Sequence, residues 1–351
     1  MSSGIEEAGQ QQRTRMLEEA LSAPQAVARQ LAADQNAYTR LGEDLRAHPP
    51  GNLLTIARGS SDHAAHYLAY LVMAKLGHLV TSLPMSLITL YQSKIKCDGL
   101  VSLGFSQSGQ SPDLVAPTKY FSEHGARTVA FVNADGSPLA AAANHVFSLH
   151  AGPENSVAAT KSYICQLVAG ARVVAAWSED SDLQAALQVL PASLEQAAKQ
   201  DWSIAVDVLK DADKLFVIGR GTGLPIALEA ALKFKETCGI QAEAFSGAEV
   251  KHGPMALVDE GYPMLVFAPR GPAQAGLIAL AEEMRGRGAR VLLAAPAGTP
   301  GAELPLVATG HEDLDPIAAV QSFYPMVEAL ARARGLNPDQ PRHLNKVTKT
   351  H

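Results

Sequence analysis

Short apolar runs alternate along this chain with longer stretches in which apolar residues recur every three or four positions. The runs "NLLTIAR" (52–58), "LVTSLP" (79–84), "GLVSLGFS" (99–106), "RTVAFVN" (127–133) and "HVFSLHAG" (145–152) predict strands. Between them, "SDHAAHYLAYLVMAKLG" (61–77) and "DLVAPTKYFSEHG" (113–125) have helical spacing. A helical region from Thr160 to about Leu209 follows, and then the alternation restarts. Strands are expected at 214–221, 263–269, 290–296 and 304–309, and helices at 224–239, 275–288 and 317–334. Residues 1 to 46, with Met16, Leu17, Leu21, Val27 and Leu31 at helical spacing, predict one or two leading helices. Apolar strands joined by helices imply an α/β chain with parallel sheets covered on both faces.

The alternation repeats itself. "LLTIARGSS" (53–61) and "LFVIGRGTG" (215–223) are each an apolar strand, then Arg-Gly and a hydroxyl residue, then an amphipathic helix. They stand 162 residues apart, about one domain length, as an internal duplication would place them.

Composition narrows the class. With 351 residues, 47% hydrophobic, the chain is long enough for two domains with cores. A net charge of -6 argues against nucleic acid or an anionic membrane as partner. The three cysteines, Cys97, Cys165 and Cys238, show no CxxC spacing and suggest reduced thiols in a cytoplasmic protein. No HxxxH or HxH pair suggests a metal site, and neither a metal nor a cofactor is expected.

Candidate chemistry begins at "FSQSGQSPD", where a buried strand ends in hydroxyls and amides around Gly109. In a parallel sheet, ligands bind beyond the carboxyl ends of the strands. A helix N-terminus there offers unpaired N–H groups, so Ser106, Gln107, Ser108 and Ser111 could hold a phosphate without a cationic side chain of their own. Ser61, in "RGSSD", would face the same crevice. Neither GxxxxGK[ST] nor GxGxxG follows any strand. The plainer reading, a polar turn with an N-cap, has comparable standing from the loop alone.

Six stretches in order carry a resemblance: "ARGSSDHA", "SLGFSQSGQSPD", "AGPENSVAATKSY", "IGRGTGLPIALEAALKFKE", "EAFSGAEVKHGPMALV" and "DQPRHLNKVTKTH". The chain resembles the sugar isomerase (SIS) domain family, and most closely the tandem isomerase module of glucosamine-6-phosphate synthases. The resemblance implies two SIS domains, 47–195 and 196–335, each a three-layer αβα sandwich. A helical segment (1–46) would precede them and an active-site tail (336–351) would follow. It also implies a phosphorylated sugar as substrate and a homodimer with shared active sites. Two departures stand out. The chain opens Met-Ser-Ser with no cysteine before Cys97, so the synthase's glutaminase is not expected; and "VAATK" places Ala159 where the synthases have a serine.

Roles follow by position. Glu236 is the expected base for moving a proton between sugar carbons 1 and 2, although a helical Glu more often makes only a surface ion pair. Lys233, three residues earlier on the same face, would hold developing negative charge, whereas Lys235 would be solvated. His252, one of eleven histidines, would open the sugar ring, reaching in from a neighbouring subunit. Lys346 would be a Schiff-base amine or a donor to the open-chain sugar, and Glu154 and Val157 would line the sugar pocket. The expected reaction is hydrolysis of glucosamine 6-phosphate to fructose 6-phosphate and ammonia. The alternatives are a phosphosugar isomerase, a fructosamine-6-phosphate deglycase, or, from another class, a non-catalytic sugar-phosphate sensor.

Overall fold

The computed structural model of the protein describes residues 13–346. The start of the expected leading segment (1–12) and the end of the expected tail (347–351, with Lys349) lie outside the described residues.

Two five-stranded sheets form the frame. The first joins β1 (Asn52–Ile56), β2 (Val80–Ser82), β3 (Leu100–Ser106), β4 (Arg127–Val132) and β5 (His145–Ser148) in the order β2-β1-β3-β4-β5. The second joins β6 (Lys214–Gly219), β7 (Gln241–Ser246), β8 (Pro263–Phe267), β9 (Arg290–Pro296) and β10 (Leu304–Leu306) in the order β10-β9-β8-β6-β7. Every pairing is parallel. Taken from its other edge, the second order is β7-β6-β8-β9-β10, so β6 stands for β1 and β8 for β3. The repeat seen in the sequence is therefore a repeat of topology. Each sheet also has a switch point, between β1 and β3 and between β6 and β8, where ligands of such folds bind.

Helices α1 (Arg15–Leu21), α2 (Ala23–Ala32) and α3 (Gln35–Ala47) lead the chain. Helices α4 (Ser60–Leu76), α5 (Ser86–Thr89), α6 (Pro112–Glu123) and α7 (Pro138–Ala142) connect the first sheet. Three more, α8 (Lys161–Ser178), α9 (Ser181–Ala197) and α10 (Ser203–Leu209), lead into the second sheet, which α11 (Leu224–Cys238), α12 (Gln274–Gly286) and α13 (Asp315–Ala333) complete. No helix among the described residues is long and apolar enough to cross a membrane.

The α/β architecture is as expected, with local differences: the leading segment forms three helices rather than one or two, and the short helices α5 and α7 were not expected. The helical region after Thr160 is broken, because Glu179 closes α8 in the left-handed conformation (φ 56°) and the Asp180 carboxylate caps α9 by accepting from the Leu183 N–H. Strand β7 has no counterpart in the expected pattern. It pairs with β6 from Lys214↔Gln241 to Gly219↔Ser246 at a sheet edge. Its sequence, QAEAFS, lacks a β-branched run, so backbone pairing and not propensity makes it a strand.

One apolar cluster runs through both units. It includes Val101 and Phe105 from the first sheet, Val217 and Phe267 from the second, and residues of α4, α8, α11 and α13 between them. Helix α4 of the first unit packs on α11 of the second. The halves share a core, and their facing helices can carry one site.

Helix α3 reaches α8 only because Gly42 has no side chain: a Cβ there would lie 2.5 Å from the Ala176 carbonyl oxygen. Both partners at that contact are backbone, so neither can swing aside. Gly42→Ala is expected to cost about 1–3 kcal/mol of stability, read as a lowered urea midpoint with an unchanged slope. An unchanged midpoint would mean that α3 is not held against α8.

Candidate active site

Helix α4 starts at Ser60 directly after β1, which brings Ser60 and Ser61 to the carboxyl edge of the first sheet. The next strand inward, β3, is buried along its whole length and delivers Ser106 to the same edge. Beyond it the chain turns tightly. The Gly109 N–H donates to Ser106 Oγ at 2.9 Å, and the Gln110 N–H to Ser108 Oγ at 3.3 Å. Gly109 has φ 62°, and a Cβ on it would overlap the Ser137 side chain, so only glycine fits. Ser106 Oγ accepts in this turn, which leaves its own O–H as a donor. Ser111 is the N-cap residue of α6.

These residues line a cavity of about 340 Å³ that contains Ser61, Ser106, Gln107, Ser108 and Ser111. The loop itself carries no cation, but Arg58 and Lys346 line the same space. Arg58 Nε donates to the buried Asp113 carboxylate at 3.0 Å. An adjoining cavity of about 180 Å³ shares Arg58, Ser61, Gln107 and Lys346 with the first, and adds Ser60, Val157, Lys233 and Glu236. Two cavities thus stand side by side, joined through Arg58, Ser61, Gln107 and Lys346.

The second space has a charged floor. Lys233 is buried, and its ammonium meets Glu236 Oε2 at 2.7 Å, Ser60 Oγ at 3.0 Å and Glu229 Oε1 at 3.2 Å. Three acceptors for three N–H donors satisfy it fully. Burial alone would lower its pKa, but the charges of Glu229 and Glu236 outweigh that and raise it, so Lys233 stays an ammonium. Glu229 also accepts from Ser60 Oγ at 3.0 Å and Tyr324 Oη at 3.2 Å, and lies 3.0 Å from His63 Nδ1. Burial pushes its carboxyl up, yet Lys233 and His63 prevail and hold it below the usual value. Glu236 is less enclosed than its neighbours, and among the described residues its second oxygen has no protein partner.

Most of the expected residues meet here. Val157 lines the second cavity, and its N–H lies 3.5 Å from the Asp339 carbonyl of the tail. Glu154 lies beneath the lining instead, where it accepts from the N–H groups of Thr160 (3.0 Å) and Ser162 (3.1 Å) and from Ser162 Oγ (2.6 Å). Lys346 Nζ sits on it at 3.1 Å. Lys235 is exposed, as expected of a solvated residue. His252 is exposed too and lines neither cavity of its own chain. Sequence reasoning missed Arg58, His63 and Glu229. The E-x-x-x-K-x-x-E spacing of Glu229, Lys233 and Glu236 on α11 was the signal for the last.

The fold and these loops define a class, and the comparisons agree. The profile of the SIS domain matches residues 48–176 and 208–297, and the chain belongs to that family. Among curated relatives it is 32% identical over 346 residues to the glutamine–fructose-6-phosphate aminotransferase (isomerizing) of Thermococcus kodakarensis, covering 94% of this chain and 57% of that protein. The corresponding Aeropyrum pernix protein is 34% identical over 323 residues, covering 85% and 51%. The chain thus spans little more than half the length of these relatives. Among solved structures, a candidate phosphosugar isomerase from Silicibacter pomeroyi matches with TM-score 0.88 at 43% identity, over 93% of this chain and 100% of that one. The C-terminal domain of the Francisella tularensis glucosamine-fructose-6-phosphate aminotransferase matches with TM-score 0.84 at 25% identity, over 95% and 100%.

The Glu154 ion pair has a pH signature. Burial raises its pKa, but Lys346 and the Ser162 hydrogen bonds lower it further, to a net value below the ordinary 4.5. A depressed carboxyl stabilises the fold fully above its ordinary pKa, and the contribution is lost as the pH falls through the depressed value. Glu154→Gln should therefore unfold at lower urea than wild type at pH 7, with the gap closing below about pH 4. A gap that stays constant from pH 7 to pH 3 would contradict the charge assignment.

Proposed function

We propose that this chain is an enzyme that moves a proton between carbons 1 and 2 of a phosphorylated sugar. In its most specific form, it hydrolyses glucosamine 6-phosphate to fructose 6-phosphate and ammonia. The observation that carries this reading is the junction of the two cavities. A ring of hydroxyl and amide groups lies beside a carboxylate, Glu236, held by a buried ammonium, and both share Ser61, Gln107 and Lys346.

Each group has a task in such chemistry. Ser61, Ser106, Gln107, Ser108 and Ser111 take the phosphate, with Arg58 nearby to balance charge. Glu236 then stands over the sugar carbons with a free oxygen and acts as the base. Lys233, kept protonated, steadies the carboxylate; its three N–H groups are taken, so it favours the oxygen on which negative charge develops through its charge alone. In the hydrolytic direction, proton transfer turns the carbon-2 amine into an imine, and water adds there and releases ammonia. Lys346, drawn to Glu154, stands where an open-chain sugar oxygen would need a donor. Ammonia rather than glutamine is the nitrogen species in this reading.

The similarity to the Silicibacter pomeroyi protein supports a second reading, isomerisation without ammonia release. One assay separates them: incubation with glucosamine 6-phosphate, measuring ammonia and fructose 6-phosphate. Equal amounts of both support the deaminase. Fructose 6-phosphate interconverting with an aldose phosphate, with no ammonia from the amino sugar, supports the isomerase. A chain that binds sugar phosphate and turns over neither is a sensor.

Two variant sets test the roles. Glu236→Gln keeps the shape and removes the base, so kcat should fall about 100-fold or more with binding retained, and wild-type exchange of the carbon-bound proton would rule Glu236 out. Ser106→Ala with Ser108→Ala should mainly raise KM for the phosphorylated sugar.

The exposure of His252, away from both cavities of its own chain, supports its delivery to the site of a second copy in a homodimer. Mixing His252→Ala with Glu236→Gln chains should then restore activity, because some heterodimers carry one intact site. No recovery despite proven subunit exchange would show that His252 acts, if at all, within its own chain.

A further inference from the structure

The switch point of the second sheet has a cavity of its own. Arg220, Gly221 and Thr222 follow β6 as Arg58, Gly59 and Ser60 follow β1, and Arg270 and Gly271 lie just beyond β8 where the serine loop lies beyond β3. Between these two ends opens a space of about 370 Å³. That is within the range of about 300–1,000 Å³ usual for small-molecule sites. Its charged lining comprises Lys75, Arg220 and Arg270 on one side of the balance and Glu312 and Asp313 on the other.

Most of these charges are spoken for. Arg270 grips Asp315 through Nε at 2.6 Å and Nη2 at 2.8 Å, and Nη2 also reaches the Thr309 carbonyl at 2.7 Å. Lys75 bridges Asp313 at 2.9 Å and Asp180 at 3.1 Å. Two are not. The side chains of Arg220 and Glu312, both exposed, make no hydrogen bond or ion pair among the described residues. Glu312 stands beside Gly271, its carboxyl 3.8 Å from where a Cβ would be. Gly221 and Gly271 both have positive φ (63° and 120°), and with no side chain they leave backbone open to a ligand.

We propose that this cavity is a second ligand site, which takes a small phosphorylated molecule bearing hydroxyl or amino groups. The phosphate pairs with Arg220, whose planar donors suit it, and the hydroxyl or amino groups pair with Glu312. The comparison with the first repeat rests on the phosphate role given above to the serine loop, whereas the cavity and its unpaired charges stand without it. The second site lies at the far ends of the two helices that build the first. Helix α4 carries Ser60 and Ser61 at its start and Tyr70 and Lys75 toward its end, and α11 begins beside Thr222 and carries Lys233 and Glu236. These two helices pack on one another. From Ser60 to Lys75 the separation is about 22 Å at 1.5 Å per residue, too far for one small ligand to fill both sites.

The test uses the full chain and inorganic phosphate, with binding followed by titration calorimetry. Two phosphates per chain are expected. Arg220→Ala should weaken one of them about ten-fold or more and leave the other, with thermal unfolding of the free protein unchanged because the Arg220 side chain has no hydrogen-bond or ion-pair partner among the described residues. Ser106→Ala with Ser108→Ala should do the reverse. An Arg220→Ala titration that superimposes on wild type overturns the second site, whatever the serine variant does. If phosphate binding depends on Arg220 and not on the serines, the second site stands and the phosphate role of the serine loop falls.

Discussion

A protonated lysine in an apolar interior is the constraint around which this molecule is arranged. Lys233 is buried between the core shared by the two repeats and the second cavity, where leaving water costs several kcal/mol unless every donor is met. Glu229 and Glu236 meet two donors from its own helix, and Ser60 meets the third from α4 of the other repeat. His63 and Tyr324 hold Glu229 in turn. The network thereby ties α4 to α11 and α13, and any rotation of these helices would leave a buried charge without a partner. The same demand aims Glu236 into the cavity.

The other side of the cavity rests on a second buried acid. Glu154 closes the turn that enters α8 by accepting two backbone N–H groups, and its charge draws Lys346 in from the chain's far end. The tail is pinned upstream as well, since the Asp339 carboxylate accepts from the N–H groups of Arg15 (3.0 Å) and Met16 (2.8 Å) at the start of α1. An acid at a helix N-terminus satisfies donors that the helix cannot. The leading helices therefore serve the site at a distance, by holding the segment that carries Lys346.

Duplication accounts for the layout of the rest. Two like units packed through α4 and α11 place their switch points at opposite ends of one helix pair. Both ends carry an arginine after their first strand, Arg58 and Arg220; beyond the next strand inward the first has serines and the second Arg270. The first faces Glu236 and the fully buried Lys233, a carboxylate and a fixed positive charge; the second faces Glu312 and the less buried pair Lys75–Asp313.

Much of this was legible in the sequence because it depends on neighbours along the chain. Strand β3 is apolar along its length since both faces are covered, and the glycine-centred turn after it needs its residues at fixed offsets. The likeness of the segments at 53–61 and 215–223 already held the repeat. Lys233 and Glu236 lie three residues apart, so one turn of helix decides that they meet. Strand β7 was not legible, because its side chains alternate weakly and its identity comes from pairing with β6. The link from Ser60 to Glu229, the approach of Arg58 to the serine loop, and the placing of Glu154 under Lys346 rather than in the lining were hidden for the same reason. Those residues stand far apart in sequence, and only the packing of two sheets and their shared helices sets the distances between them. Local pattern determined the elements and the turn chemistry; which charges share a buried space was decided by the fold, where low dielectric makes each partner obligatory.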